Sequence, residues 1–224
     1  MTQVLILVEG QTEELFVNQV LGPHLHTFAV YPRATCICTS KVQGRRQHRG
    51  GHAGKYEPIR RDLFQLLKNP HVAVVSTMID FYGLPSDFPG KASQPTSDCF
   101  QQVKHLEQSF AADVQDPRFI PFLMLHEYEA LLFASPEAIA DAFPGNWVAD
   151  LKAIRDAFDS PEEIDDSPQT APSKRLEALL TQYRKAYHGP LIAEQIGLLA
   201  IRNECRHFAD WVTRLESFGT AATS

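Results

Sequence analysis

The chain lacks the markers of several large protein classes. No apolar run approaches the roughly 20 residues needed to cross a bilayer. No Cys-x-x-Cys pair exists among the four cysteines at 36, 38, 99 and 205. Cys36 and Cys38 are two apart on a predicted strand and point to opposite faces, so reduced core thiols are expected, not a disulfide or a zinc site. A GxxxxGK phosphate loop is absent, which removes the basis for intrinsic ATPase activity. No GxGxxG follows a strand, and neither GxSxG nor HExxH occurs. The apolar run Val4-Leu5-Ile6-Leu7-Val8 has no basic segment before it and a carboxylate directly after it. It reads as a buried strand, not a signal peptide, and the protein is expected in the cytoplasm.

What is present is enough apolar material for a real core: 44% of 224 residues are hydrophobic and 21% charged. The net charge of −6 is unevenly spread. Residues 41–61 hold Lys41, Arg45, Arg46, Arg49, Lys55, Arg60 and Arg61 against Glu57 alone, so the rest of the chain is strongly acidic. Such a protein is not a general polyanion binder, but it can grip a polyanion at one place.

Periodicity predicts strands over 4–8, 33–39, 72–79 and 119–125. They alternate with helices over 13–21, 58–68 and 98–112. Gly22-Pro23 is expected to stop the first helix, and 41–54 is expected to be a Gly- and Arg-rich loop. This βαβαβαβ order predicts an α/β fold with a mostly parallel sheet over 1–125. Residues 126–224 form a helical C-terminal extension expected to pack on it. Its helices are predicted over 127–143, 147–158, 173–187, 190–202 and 204–217. Residues 156–166, with six acids and no base, and broken further by Pro161, Pro168 and Pro172, read as a surface linker. The last helix carries the stripe Phe208, Trp211, Val212 and Leu215, which suits either core or a partner surface.

Two predicted strands end on a carboxylate, Val8 running into Glu9 and Ile79 into Asp80. Ligands of parallel α/β sheets gather beyond the carboxyl ends of the strands. If the two strands are neighbours, both acids enter one crevice, where a hard cation relieves their repulsion. Gly10 keeps bulk away from Glu9, and backbone N–H groups near Thr12 and Glu13 could face a phosphate oxygen. Glu13, Asp87, Glu127 and Glu129 are the acids available to complete such a site. Glu127, directly after the fourth strand, is the expected choice. Glu127 and Glu129 would not share a helix face, so one is expected to ligate and the other to pair structurally. Lys41, Arg45, Arg46 and Arg49 emerge near the same sheet end and could hold a phosphodiester backbone.

The tract Val8-Glu9-Gly10-Gln11-Thr12-Glu13 resembles the first motif of Toprim domains, the metal-binding fold of topoisomerases, primases and nucleases of the overcoming-lysogenization-defect type. Met78-Ile79-Asp80-Phe81-Tyr82-Gly83-Leu84-Pro85, followed by Asp87-Phe88-Pro89-Gly90, resembles the second. Nearly the whole chain is similar to a domain-of-unknown-function family of the Toprim-like group. The shared tracts include His126-Glu127-Tyr128-Glu129-Ala130-Leu131-Leu132-Phe133 and Pro172-Ser173-Lys174-Arg175-Leu176. One departure stands out. Toprim enzymes carry Asp-x-Asp in the second motif, and here the tripeptide is Asp80-Phe81-Tyr82.

The resemblance implies a Toprim-like fold and a Mg²⁺- or Mn²⁺-dependent phosphodiester hydrolase acting on DNA or RNA. Glu9, Asp80 and Glu127 would be its catalytic and metal-holding carboxylates. It further implies an ABC-type ATPase partner and a role as effector nuclease in anti-phage defence. The missing second Asp supports a different class, a non-catalytic binding or effector subunit that keeps a degenerate site.

Overall fold

The computed structural model describes residues 1–38, 40–42, 45–47, 54–164 and 170–220. The chain opens with β1 (Thr2–Val8), then α1 (Gln11–Phe16), a π-helical turn (Val17–Leu21) and α2 (Gly22–His26). There follow β2 (Val30–Cys36), β3 (Ser40–Val42), β4 (Arg45–Gln47), α3 (Glu57–Leu67), β5 (Val74–Asp80) and α4 (Cys99–Val114). Two short strands, β6 (Phe119–Ile120) and β7 (Leu123–Met124), precede a 3-10 segment (Tyr128–Ala134). The remainder is helical: α5 (Pro136–Asp141), α6 (Val148–Arg155), a 3-10 turn (Pro161–Glu163), α7 (Pro172–Leu179), α8 (Lys185–Ile196), α9 (Leu198–Glu204) and α10 (Arg206–Thr220).

The main sheet runs β2-β1-β5-β6, with β7 also on β5, and every pairing in it is parallel. This is a Rossmann-like α/β fold followed by helices, as the alternation of elements predicts. Because strand side chains alternate, the sheet feeds two cores. Val4, Ile6, Val8, Val74 and Met78 join one cluster with Phe16, Tyr128, Phe208 and Trp211. Leu5, Leu7, Val75 and Ile79 join the other with Ile59, Leu63, Leu106 and Phe110 from α3 and α4. The stripe Phe208, Trp211, Val212 and Leu215 is therefore core, not a partner surface. Trp211 stacks on Phe122 with centroids 4.3 Å apart and donates its indole N–H to Ser76 Oγ (2.9 Å).

Several boundaries differ from the expectation, each for a physical reason. Gly22-Pro23 does not stop the first helix. The chain passes through a π turn in which the Gly22 N–H reaches Val17 O. A Cβ on residue 22 would lie 2.9 Å from that oxygen, so glycine permits the turn, and Pro23 falls in the first turn of α2, where no N–H is required. The fourth strand is split, because Pro121 has no N–H to donate. Thr77 Oγ1 bridges the gap by donating to Phe122 O (2.9 Å) and accepting from Phe122 N–H (3.0 Å).

The region expected as a loop over 41–54 contains strand: β3 and β4 pair antiparallel with Lys41 opposite Arg46 and Val42 opposite Arg45, while 43–44 and 48–53 lie outside the described residues. The strand expected at 33–39 lies at Val30–Cys36 on the sheet edge, where Pro32 is tolerated. In place of one helix over 127–143 there are the 3-10 segment and α5. Nor is 156–166 a plain surface linker. Glu162 is buried and accepts the N–H groups of His207 and Phe208, both 2.9 Å away, at the start of α10. All four cysteines are free thiols, and Cys36, Cys38 and Cys205 are buried. No helix among the described residues is long and apolar enough to cross a membrane.

Candidate functional site

Strand order decides where a ligand would sit. From β1 the chain first builds outward to β2, then returns to the other side of β1 to lay down β5. The reversal falls between β1 and β5, whose carboxyl ends carry Glu9 and Asp80. Parallel α/β sheets bind ligands at this switch point. The two acids meet there: Glu9 Oε2 lies 3.4 Å from the Asp80 backbone N–H. Asp80 is buried at the end of a strand that is buried throughout. Beyond β7, His126 adopts φ 59°, in the left-handed region. The chain then presents the Tyr128 N–H to Asp80 Oδ1 at 3.1 Å.

Two further carboxylates close on this point. Glu13, buried on α1, reaches back to the Gly10 N–H (2.8 Å), fixing the turn that follows Glu9. Glu129, fully buried in the 3-10 segment, accepts the Tyr183 hydroxyl at 3.1 Å. Between them stands Lys185, the first residue of α8. Its Nζ is 3.0 Å from Glu129 Oε2 and 3.4 Å from Asp80 Oδ2. The contact to Glu129 Oε2 is the closer of the two and pairs the ammonium with a fully buried carboxyl group. A lysine at a helix N-terminus opposes the helix dipole, so these carboxylates, not the helix, account for its position. Gly189 brings α8 in: a Cβ there would meet Tyr128 Cε1 at 3.1 Å and Thr12 Cγ2 at 3.2 Å.

The charges do not balance. Burial pushes the Glu13 carboxyl up to about 7, opposed by Lys185 and reinforced by Glu9 and Glu129. Burial likewise raises Asp80 well above the ordinary range, against Lys185 and with the help of Glu9, Glu13 and Glu129. Glu129 is raised by burial, with Glu127 adding to it. Lys185 moves the other way. Burial works against its charge, yet Asp80, Glu129 and Glu13 hold its ammonium protonated beyond its usual range. A buried group of carboxylates sharing one ammonium remains short of positive charge.

Other residues singled out in the sequence lie elsewhere. Glu127 is buried but turned to α7, where its Oε2 accepts the Ser173 N–H (3.0 Å). The two acids of this tract thus take different roles, and Glu129, not Glu127, joins Asp80. Asp87 is exposed, and its Oδ1 accepts the Tyr56 N–H at the start of α3 (2.9 Å). Lys41, Arg45 and Arg46 lie on the β3–β4 ribbon, and Arg49 falls outside the described residues. Arg61, from the basic segment, donates to Cys38 O (2.8 Å) and Asp62 (3.0 Å). Lys185 and Tyr183 carry no signal in the sequence, because a continuous helix is predicted over 173–187 where the chain instead breaks after α7, leaving Tyr183 in the connection and Lys185 at the start of α8.

A family model matches residues 8–216, most of the chain. The chain belongs to that family, Domain of unknown function (DUF4276). No curated protein and no solved structure matches it. The family match thus spans both strand-end acids, Glu13, Glu129 and Lys185.

The residues can be tested against a divalent cation. The donors are hard carboxylate oxygens, as Mg²⁺ and Mn²⁺ require. The carboxyl groups outnumber the one ammonium among them, and the site lies where ligands bind such sheets. Among the described residues, no three His, Cys, Asp or Glu side chains are yet gathered as an ion would gather them, and the Lys185 ammonium lies between Asp80 and Glu129. Charge, donor type and position fit a cation.

Proposed function

We propose that this protein is a Toprim-like, Mg²⁺- or Mn²⁺-dependent phosphodiester hydrolase acting on nucleic acid. The observation that carries the reading is the meeting of Glu9 and Asp80 at the switch point, within a buried group of acids that Lys185 does not neutralise. Glu9 and Asp80 would hold the ion, with Glu13 and Glu129 supplying the carboxylate that Tyr82 withholds from the second motif. A bound ion would supply a nucleophilic water at neutral pH and charge for the phosphoryl oxygens. The protein's own groups do the rest. The Tyr128 N–H fixes Asp80 Oδ1 and leaves Oδ2 directed toward Lys185. Lys185, about 38% exposed at its side chain, can meet a phosphate oxygen entering from solvent. Lys41, Arg45, Arg46 and Arg49 would track the backbone, and an ABC-type ATPase partner in phage defence follows from the Toprim resemblance.

The test is cleavage of DNA and RNA with Mn²⁺ by the parent, Glu9→Gln and Asp80→Asn proteins. Cleavage by the parent alone supports the reading. Equal cleavage by Asp80→Asn rejects it.

A second reading is favoured by one contact. If the Lys185 ammonium is the permanent counter-ion of Asp80 and Glu129, the protein is a non-catalytic binding or effector subunit. Calorimetric titration separates the two, since a permanently neutralised site takes up no Mn²⁺.

A further inference from the structure

Beside the acid group lies a second feature that the hydrolase reading does not use. The segment joining α7 to α8 and the first turn of α8 surround an open cavity of about 390 Å³, lined by Thr181, Gln182, Tyr183, Arg184, Tyr187 and His188. Two residues tie it to the acids. Tyr183 lines the cavity and donates its hydroxyl to Glu129. Lys185 follows Arg184 directly and contacts Asp80 and Glu129.

The lining has a specific chemistry. Tyr187 is 64% exposed, one of few large hydrophobic side chains left in solvent among the described residues. The His188 ring meets it edge to face at 4.9 Å and is backed by Phe143 at 4.7 Å. His188 Nδ1 accepts the Arg184 N–H (2.9 Å), which fixes the ring and leaves Nε2 to carry the proton of the neutral form. Arg184 itself is exposed. Thr181 and Gln182 add hydroxyl and amide groups that both donate and accept. A fixed aromatic surface, an exposed guanidinium and uncharged polar groups form a combination that recognises a base and its phosphate. Every base has a π-face to stack, while bases in a duplex have theirs occupied.

We infer that this cavity seats an unpaired nucleobase of single-stranded nucleic acid, stacked on Tyr187 with its phosphate facing Arg184, beside the Glu9–Asp80 centre. The inference rests on the hydrolase reading for the identity of the strand's scissile bond, but not for its binding. It names single strands as the substrate class and gives α8 two tasks, presenting Lys185 to the acids and Tyr187 to the base.

Binding without cleavage provides the test. Fluorescence anisotropy with a labelled single-stranded oligonucleotide, and with its duplex, would be measured in EDTA on the parent, Tyr187→Ala and Tyr187→Phe proteins. An unlabelled nucleoside monophosphate serves as competitor. Loss of a base-stacking ring is expected to weaken single-strand binding by roughly tenfold. Tyr187→Phe should bind like the parent, and duplex binding should change by less than about twofold. Because Tyr187 is exposed, Tyr187→Ala should melt as the parent does, so a loss of binding is not a loss of fold. The inference is overturned if the parent fails to bind single strands, or if Tyr187→Ala binds them as tightly. It is also overturned if single-strand and duplex binding fall together, or if the free nucleotide competes as well as the strand. Tyr187-dependent binding without Mn²⁺-dependent cleavage would sink the hydrolase reading and keep the seat. Cleavage by the parent with unchanged binding by Tyr187→Ala would do the reverse.

Discussion

Two groups of buried or half-buried carboxylates in this molecule face opposite electrostatic situations. At the switch point, Glu9, Glu13, Asp80 and Glu129 share Lys185, and burial leaves Glu13, Asp80 and Glu129 with raised pKa values. Between α2, α9 and α10, Glu216 is met by both the Arg202 guanidinium and His24. Burial opposes the Glu216 charge, yet these two partners outweigh it and hold its carboxyl below the usual range. In the Glu216 knot the cations match or exceed the acid, so the charges clamp three helices. At the switch point the acids exceed the cation, an arrangement that costs folding free energy. Such a cost is expected where groups are kept for a ligand.

The largest expected effect comes from deepening the imbalance. Lys185→Met should destabilise the metal-free protein by roughly 3 kcal/mol, because an acid pair buried without its cation is left uncompensated. Urea unfolding measures this, and Mn²⁺ should restore part of the loss. Loss of a comparable amount from Arg202→Met, with no Mn²⁺ recovery, would mark the Glu216 knot as the contrasting structural case.

The two groups should also respond to pH with opposite signs. Glu13 binds its proton more tightly in the folded state, at about 7 against 4.5. Between those values the native state holds more protons than the unfolded one, so stability falls as pH rises. Glu13's share of the fall is on the order of 2–3 kcal/mol, and Glu13→Gln should remove that share while Asp80 and Glu129 keep the sign of the slope. The depressed Glu216 contributes stability that is present above its ordinary pKa and is lost as pH falls through its folded value. Melting curves from pH 4 to 8 in EDTA, on the parent, Glu13→Gln and Glu216→Gln proteins, would resolve the two slopes.

A smaller effect is expected at Glu162, a buried acid of the structural kind. Glu162→Ala removes acceptors from two N–H groups at the start of α10. The expected cost is about 1–2 kcal/mol, independent of Mn²⁺. Dependence on Mn²⁺ would mean that the metal acts away from the switch point.

The parts of this picture legible in the sequence were those carried by local pattern. The apolar runs ending at Glu9 and Asp80 identify two central strands, and alternation with helices implies that those strands run parallel. Glu13 and Glu129 are candidates in the sequence as acids available to complete the site, alongside Asp87 and the favoured Glu127. Lys185 is not. Gly189-Pro190 reads as a helix break, yet α8 runs through both residues from Lys185 to Ile196. Close packing of Gly189 on Tyr128 and Thr12 supports the helix there, a tertiary effect that propensity does not contain. Glu162 was hidden in the same way. Its partners at 207 and 208 are distant in sequence, and acids among prolines look like a solvated linker. Thr77 bridging the Pro121 gap is likewise a long-range pairing.

The central claim, that the switch-point acids are assembled for a divalent cation, is tested most directly by thermal melts of the parent and Asp80→Asn proteins with and without Mn²⁺. Asn keeps an acceptor for the Tyr128 N–H while removing one negative charge. The account predicts that Asp80→Asn without metal is at least as stable as the parent. It also predicts that Mn²⁺ at a hundredfold excess over Kd stabilises the parent by about 2.7 kcal/mol, and that the variant loses most of that gain. A metal-free variant that melts well below the parent, together with a parent indifferent to Mn²⁺, would contradict it.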